Sequence, residues 1–190
     1  MNTIDIKRMR KKQILVSNVL LITVLPIYFF ILNLINITFS THFLILSIMM
    51  FIQAIVNLVK RYSTKSFIPV YEQVAHYEKS KMGKEWMKQR KSVWILNFVL
   101  SVSFFIQYLV NRNSSNVLEF ELFFMGRLLF LLLVIMNISM LLHISKVDRA
   151  TSESDFKGYT WKWQIISIVF GIVLAFFIIM FTIFYLLATI

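Results

Sequence analysis

Residues 122–144 read LFFMGRLLFLLLVIMNISMLLHI, and a single charge, Arg127, interrupts them. At about 1.5 Å of rise per residue, a helix of this run reaches past a hydrocarbon core of about 30 Å. The run is apolar on every side, whereas a surface helix of a soluble domain carries one apolar stripe. Four further runs resemble it, at 14–36, 43–59, 93–110 and 164–188. The second and third are short for a span, and the flanking Thr41, Lys60, Ser92 and Asn111 can lengthen them. A membrane barrel needs alternating apolar and polar residues, and no run shows that pattern. The expected fold is therefore all-α: one polytopic membrane domain over 1–190. It has five transmembrane helices, arranged as two hairpins and a final helix.

Composition agrees. Of 190 residues 58% are apolar, 16% are aromatic and 15% are charged. A soluble domain is nearer half apolar and a quarter charged. The chain has no cysteine, which removes disulfides, thiol nucleophiles and thiolate metal sites. The net charge of +11 would suggest nucleic acid in a soluble protein. Its distribution points elsewhere, because the basic residues gather between alternate apolar runs. Residues 1–13 carry +4, the loop 60–92 carries +6 and the loop 145–163 carries +1. Cytoplasmic loops collect Lys and Arg, so the N-terminus and these loops are expected inside and the C-terminus outside. Trp94, Tyr159, Trp161 and Trp163 stand as interfacial anchors at the inner ends of spans three and five. The first run is too long for a signal-peptide core, so an uncleaved first helix is expected. Abundant Ile, Phe, Lys and Asn suggest a bacterial plasma membrane.

The two hairpins overlay at a shift of 79 residues, which sets Lys11, Lys12 and Asn18 on Arg90, Lys91 and Asn97, and Phe43 on Leu122. Parallel repeats of this kind occur in transporters. Any two hairpins with basic inner ends also resemble one another.

The loop 60–92 holds the main soluble feature. Pro69 suits a first helical turn, and Val70, Val74 and Tyr77 recur at helical spacing beside Phe67 and Tyr71. Met82 and Trp86 follow, with a bend at Gly83. Lys79, Lys81, Lys84 and Lys88 fill intervening positions. A basic polar face opposite aromatic residues is the pattern of a helix lying on an anionic membrane surface. The expected contact set is Phe67, Val70, Tyr71, Val74, Tyr77, Lys79, Lys81, Lys84, Trp86 and Lys88. A protein partner would read the same residues.

Arg127 is the one charge within a span. It lies about one and a half turns from the outer boundary, within reach of a snorkelling side chain, and Glu119 and Glu121 can pair with it. A buried functional role is the competing reading. Asn18, Asn33, Gln53, Asn57, Asn97, Gln107 and Asn137 dot the spans, and interhelical hydrogen bonds are expected of them. Pro26 should kink span one or free a carbonyl. Gly171 and Ala175 allow close helix approach.

No carboxylate lies deep in a span. His42, His76 and His143 are dispersed without metal-ligand spacing, and Glu72 and His76 form at most a surface pair. No phosphate loop, nucleophile elbow or zinc-protease motif is present. The expectation is a non-enzyme without cofactor or metal, meeting lipid and either another membrane protein or itself, and no nucleic acid. It would be an accessory subunit, a regulator, or an immunity or resistance factor of a membrane complex. A small oligomeric transporter or channel is the alternative.

Overall fold

The computed structural model describes residues 3–114, 116–117 and 121–189. Six α-helices follow in order: α1 Thr3–Ile35, α2 Phe39–Val59, α3 Pro69–Met82, α4 Lys84–Asn111, α5 Leu122–Arg149 and α6 Tyr159–Thr189. A 3₁₀ turn, Glu153–Phe156, joins α5 to α6. Four helices, α1, α2, α4 and α5, are long and apolar enough to cross a membrane. Leu20, Phe30, Phe51, Val99 and Ile138 on them are exposed, as lipid-facing side chains are. The chain is therefore a membrane-embedded helical protein.

Several helix ends have a local cause. Asn36 takes φ 51° and ends α1, a conformation Asn tolerates better than most residues. The Thr38 hydroxyl accepts the Thr41 N–H and starts α2 four residues ahead of its apolar run. Gly83 separates α3 from α4 at φ 52° and ψ −119°, so the bend expected there is a true break. A Cβ at Gly83 would also collide with the Glu153 carboxylate. Gly83→Ala should cost about 1–3 kcal/mol, read as a lowered unfolding midpoint of the purified protein in detergent. At the 3₁₀ turn, the backbone N–H groups of Ser152 and Thr151 hydrogen-bond the Asp155 carboxylate at 3.0 and 2.8 Å. These bonds hold Asp155 below the ordinary carboxylate range.

The two hairpins of consecutive spans expected from the short loops are corrected: the spanning helices pack chiefly as two antiparallel pairs, α1 with α5 and α2 with α4, because the polar side chains that find partners join those helices. The second pair is the tighter. Ser40, Ser47 and Ala54 recur every seven residues along α2 and are buried, so small side chains let the backbones approach. The Ser47 hydroxyl donates to the Ser101 carbonyl at 3.0 Å, and the Ser101 hydroxyl returns the bond to the Ser47 carbonyl at 2.9 Å. Phe43 against Phe104 and Phe51 against Phe98 pack on either side. Between α1 and α5 the Asn18 and Asn137 amides exchange hydrogen bonds at 3.1 and 2.7 Å, the interhelical role expected of them. Farther along, α1 runs unbroken through Pro26, and the two helices diverge around an apolar cavity of about 650 Å³ lined by Pro26, Phe29 and Gly126.

At one end the inter-helix loops touch. Thr38 and Val117 form an isolated antiparallel bridge, and the Phe39 N–H donates to the Asn116 carbonyl at 3.0 Å. Thr38 and Val117 stand 79 residues apart, the shift at which the hairpins overlay. The same shift exchanges the α1–α5 pair with the α4–α2 pair.

At the opposite, basic end lies the compact core. Met9, Val74, Ala75, Tyr77, Met82, Trp86, Val147, Ala150 and Phe156 are buried together, with Ile6 and Tyr159 packed against them. Here the surface contact expected of Val70, Val74, Tyr77 and Trp86 is corrected. All four side chains are buried within the chain, so they are withheld from lipid. The apolar face of α3 is satisfied by α1, α4, α5 and the 3₁₀ turn. A Cβ at Gly171 of α6 would meet nothing within 4 Å among the described residues, and the side chain of Ala175 lies outside them.

Candidate functional site

An ionic network runs through the basic end and joins four helices. Arg10 of α1 is its hub and is only 5% exposed. Its Nη1 donates to Glu78 Oε1 of α3 at 2.8 Å and to Gln13 Oε1 at 2.9 Å. Nε and Nη2 both donate to Asp148 Oδ1 of α5, at 3.3 and 3.0 Å. The guanidinium also sits 5.2 Å from the centre of the Tyr77 ring. Glu78 Oε1 meets His143 Nε2 of α5 at 3.2 Å, and His143 Nδ1 meets the Tyr159 hydroxyl of α6 at 2.8 Å.

The imidazole can donate from Nε2 to Glu78, while Nδ1 pairs with the Tyr159 hydroxyl, which can donate or accept. Burial and the charge of Glu78 push the Tyr159 phenol up to about 12, so it keeps its proton and can donate. Glu78 is more delicately poised. Burial pushes its pKa up, but the hydrogen bond and charge of His143 and those of Arg10 outweigh this and hold it below the ordinary value of 4.5. A carboxylate with a depressed folded pKa contributes stability above its unfolded pKa. That stability is lost as pH falls through the folded value. The unfolding midpoint between about pH 3 and pH 6 should therefore drop toward acid, and Glu78→Gln should flatten that slope. A slope unchanged in the variant would place the acid sensitivity elsewhere.

A second cluster ties α4 to α6. Glu85 Oε2 accepts the Thr160 N–H at 3.3 Å and the Thr160 hydroxyl at 2.9 Å, and Lys88 pairs with Glu85 Oε1. A carboxylate over free N–H groups at a helix start is favourable. Lys81 donates to the Ala150 carbonyl at 2.8 Å and Lys79 to the Tyr62 carbonyl at 3.0 Å.

The residues expected to touch membrane or partner therefore divide. Lys79, Lys81 and Lys88 brace the basic end, and the Tyr71 hydroxyl lies 2.7 Å from that of Ser17. Phe67, at 94% exposure, and Lys84 remain on the surface. His76 lies 3.0 Å from the Thr64 hydroxyl. Arg127 is exposed, far from the network, and its Nε reaches the Phe123 carbonyl at 3.4 Å. Its proposed partner Glu119 lies outside the described residues. Among the described residues no three His, Asp or Glu side chains gather as metal ligands.

By residue type Arg10 is one of five basic residues within 1–13, and the charge count does not mark it as the hub. A signal was available: Ile6, Met9, Gln13 and Ser17 fall on one helical face with Arg10, continuing span one back through the basic segment. Nothing local marks Glu78, His143 and Asp148 as its partners, because 65 and 138 residues separate members of these pairs. No protein-family model, curated protein or solved structure matches the chain.

Proposed function

We propose that this is a five-span protein of a bacterial plasma membrane, with α6 as the fifth span, that serves as a non-catalytic accessory subunit, regulator, or immunity or resistance factor of a membrane complex. Its N-terminus, the α3 segment and the 145–163 loop face the cytoplasm in this reading, since they hold most of the Lys and Arg. One observation carries the functional part. Among the described residues, polar groups within the spans pair across helices, Asn18 with Asn137 and Ser47 with Ser101. A transport route generally needs ionisable groups or broken helices at mid-membrane. The charged groups instead brace one end, making a fixed platform from which Phe67 and Lys84 project.

Reporter fusions after residues 114 and 190 should both report an outside location, and an inside signal at 190 would remove α6 as a span. Affinity purification should yield one stoichiometric membrane partner, lost on Phe67→Ser with Lys84→Glu. Ion or solute flux through liposomes holding the pure protein, abolished by Arg127→Ala, would overturn the accessory reading in favour of a transporter.

A further inference from the structure

A cleft of about 470 Å³ opens beside the network, between α1, α2, α3 and α4. Three cations line it: Lys60 at the end of α2, Lys65 of the following linker, and Arg90 of α4. Arg90 is half-buried, and its described contact is with the face of Trp86, 5.0 Å from the ring centre. Among the described residues no carboxylate lies within ion-pair distance of its guanidinium and no hydrogen bond is made to it; Glu78 acts on it only across the cleft, through its charge. Removing a guanidinium from water without an anion is unfavourable, and a bound anion offsets that cost. Lys60 rests 4.5 Å over the Phe67 ring and likewise has no described carboxylate partner. The carboxylate that lines the cleft, Glu78, is already engaged by Arg10 and His143.

The cleft is amphipathic as well as basic. Val56 and Val93 line its other side, where α2 leaves its apolar run and α4 enters its own. Both valines are exposed, and Val59 continues the apolar surface. A soluble phosphate has no use for such a wall, whereas an acyl chain does. Phe67, at the rim, suits the headgroup level, where amphipathic surfaces bury aromatic rings. Basic pockets between spanning helices are known receptors for anionic head groups, and the planar fork of Arg matches two phosphate oxygens.

We infer that this cleft binds an anionic phospholipid, its phosphate held by Arg90, Lys60 and Lys65 and its chain laid along Val56 and Val93. The site goes beyond the accessory role proposed above and holds whichever partner the protein serves.

Native mass spectrometry of the full chain in detergent, titrated with phosphatidylglycerol or phosphatidylcholine, tests it. One phosphatidylglycerol should be retained in preference to phosphatidylcholine. Arg90→Gln should weaken that binding about tenfold, as expected for losing a charge-assisted pair. Lys60→Gln with Lys65→Gln should weaken it several-fold, while Lys157→Gln with Lys162→Gln, an equal loss of charge, should not. Circular dichroism checks that each variant folds, and the lysine pair decides if Arg90→Gln does not. Equal loss in both lysine doubles would reduce the effect to general attraction and overturn the site. Wild-type affinity in folded Arg90→Gln would overturn it too. Inorganic phosphate binding as tightly as the lipid would replace the lipid with a soluble anion.

Discussion

Arg10→Met should destabilise the folded chain by about 3–5 kcal/mol, the cost of removing one partner from a buried ionic cluster. The charge itself is not what the substitution chiefly removes. Glu78 and Asp148 remain, and Glu78 sits in a site where its side chain is only 12% exposed. Its remaining neighbour His143 offers one donor in place of a guanidinium fork. Arg8→Met and Lys11→Met, one turn or less away on the exposed side of α1, should each change stability by under about 0.5 kcal/mol. The measurement is unfolding of the purified protein in detergent, followed by ellipticity. A double-mutant cycle sharpens it: adding Glu78→Met to Arg10→Met should recover part of the loss, because an apolar side chain of similar length leaves fewer charges uncompensated. An Arg10→Met variant as stable as its Arg8 neighbour would mean that the network is not buried in the folded protein.

Phe156→Ala should cost a similar amount, about 3–5 kcal/mol, for a different reason. Phe156 is 0% exposed, seated with Met82 and Val147 in the core at the basic end and edge-on to Tyr159 at 6.0 Å. Truncation leaves a cavity that the surrounding helices cannot close, since they are tied together by the ion pairs and hydrogen bonds described above. Loss of the anchor should also loosen the start of α6. Limited proteolysis should then cut between Thr151 and Gly158 in the variant, and the intact chain should resist. Phe30→Ala, at a site 67% exposed on α1, is the control and should leave the midpoint within about 0.5 kcal/mol. Equal losses in Phe156→Ala and Phe30→Ala would mean that the protein responds to detergent and not to core packing.

These two residues show where the linear reading ran out. The long apolar runs, the break at Gly83 and the helix through the 60–92 loop were legible because each depends on residues near in sequence. So was the interhelical role of Asn18 and Asn137, since a polar amide in hydrocarbon must find a partner. The loop was also recognisably amphipathic, but the same pattern suits a helix resting on lipid and one packed on protein. Val74, Tyr77 and Trp86 are core side chains because Met9, Val147 and Phe156 arrive to cover them, from segments dozens of residues away. Arg10 is a buried hub for the same reason: beside the four other basic residues of 1–13 its type does not stand out, and its position on the inner face of α1 does.

Residues 122–144 make the contrast concrete. Their apolar length alone dictates a helix that crosses a bilayer, because an unsatisfied backbone in hydrocarbon admits little else. Composition cannot say which helix lies beside it, since leucine packs against lipid as readily as against another span. That choice is made by the few side chains with demanding chemistry. Asn137 reaches Asn18, His143 and Asp148 reach Glu78 and Arg10, and these directional bonds set α5 against α1 with α3 laid across their ends.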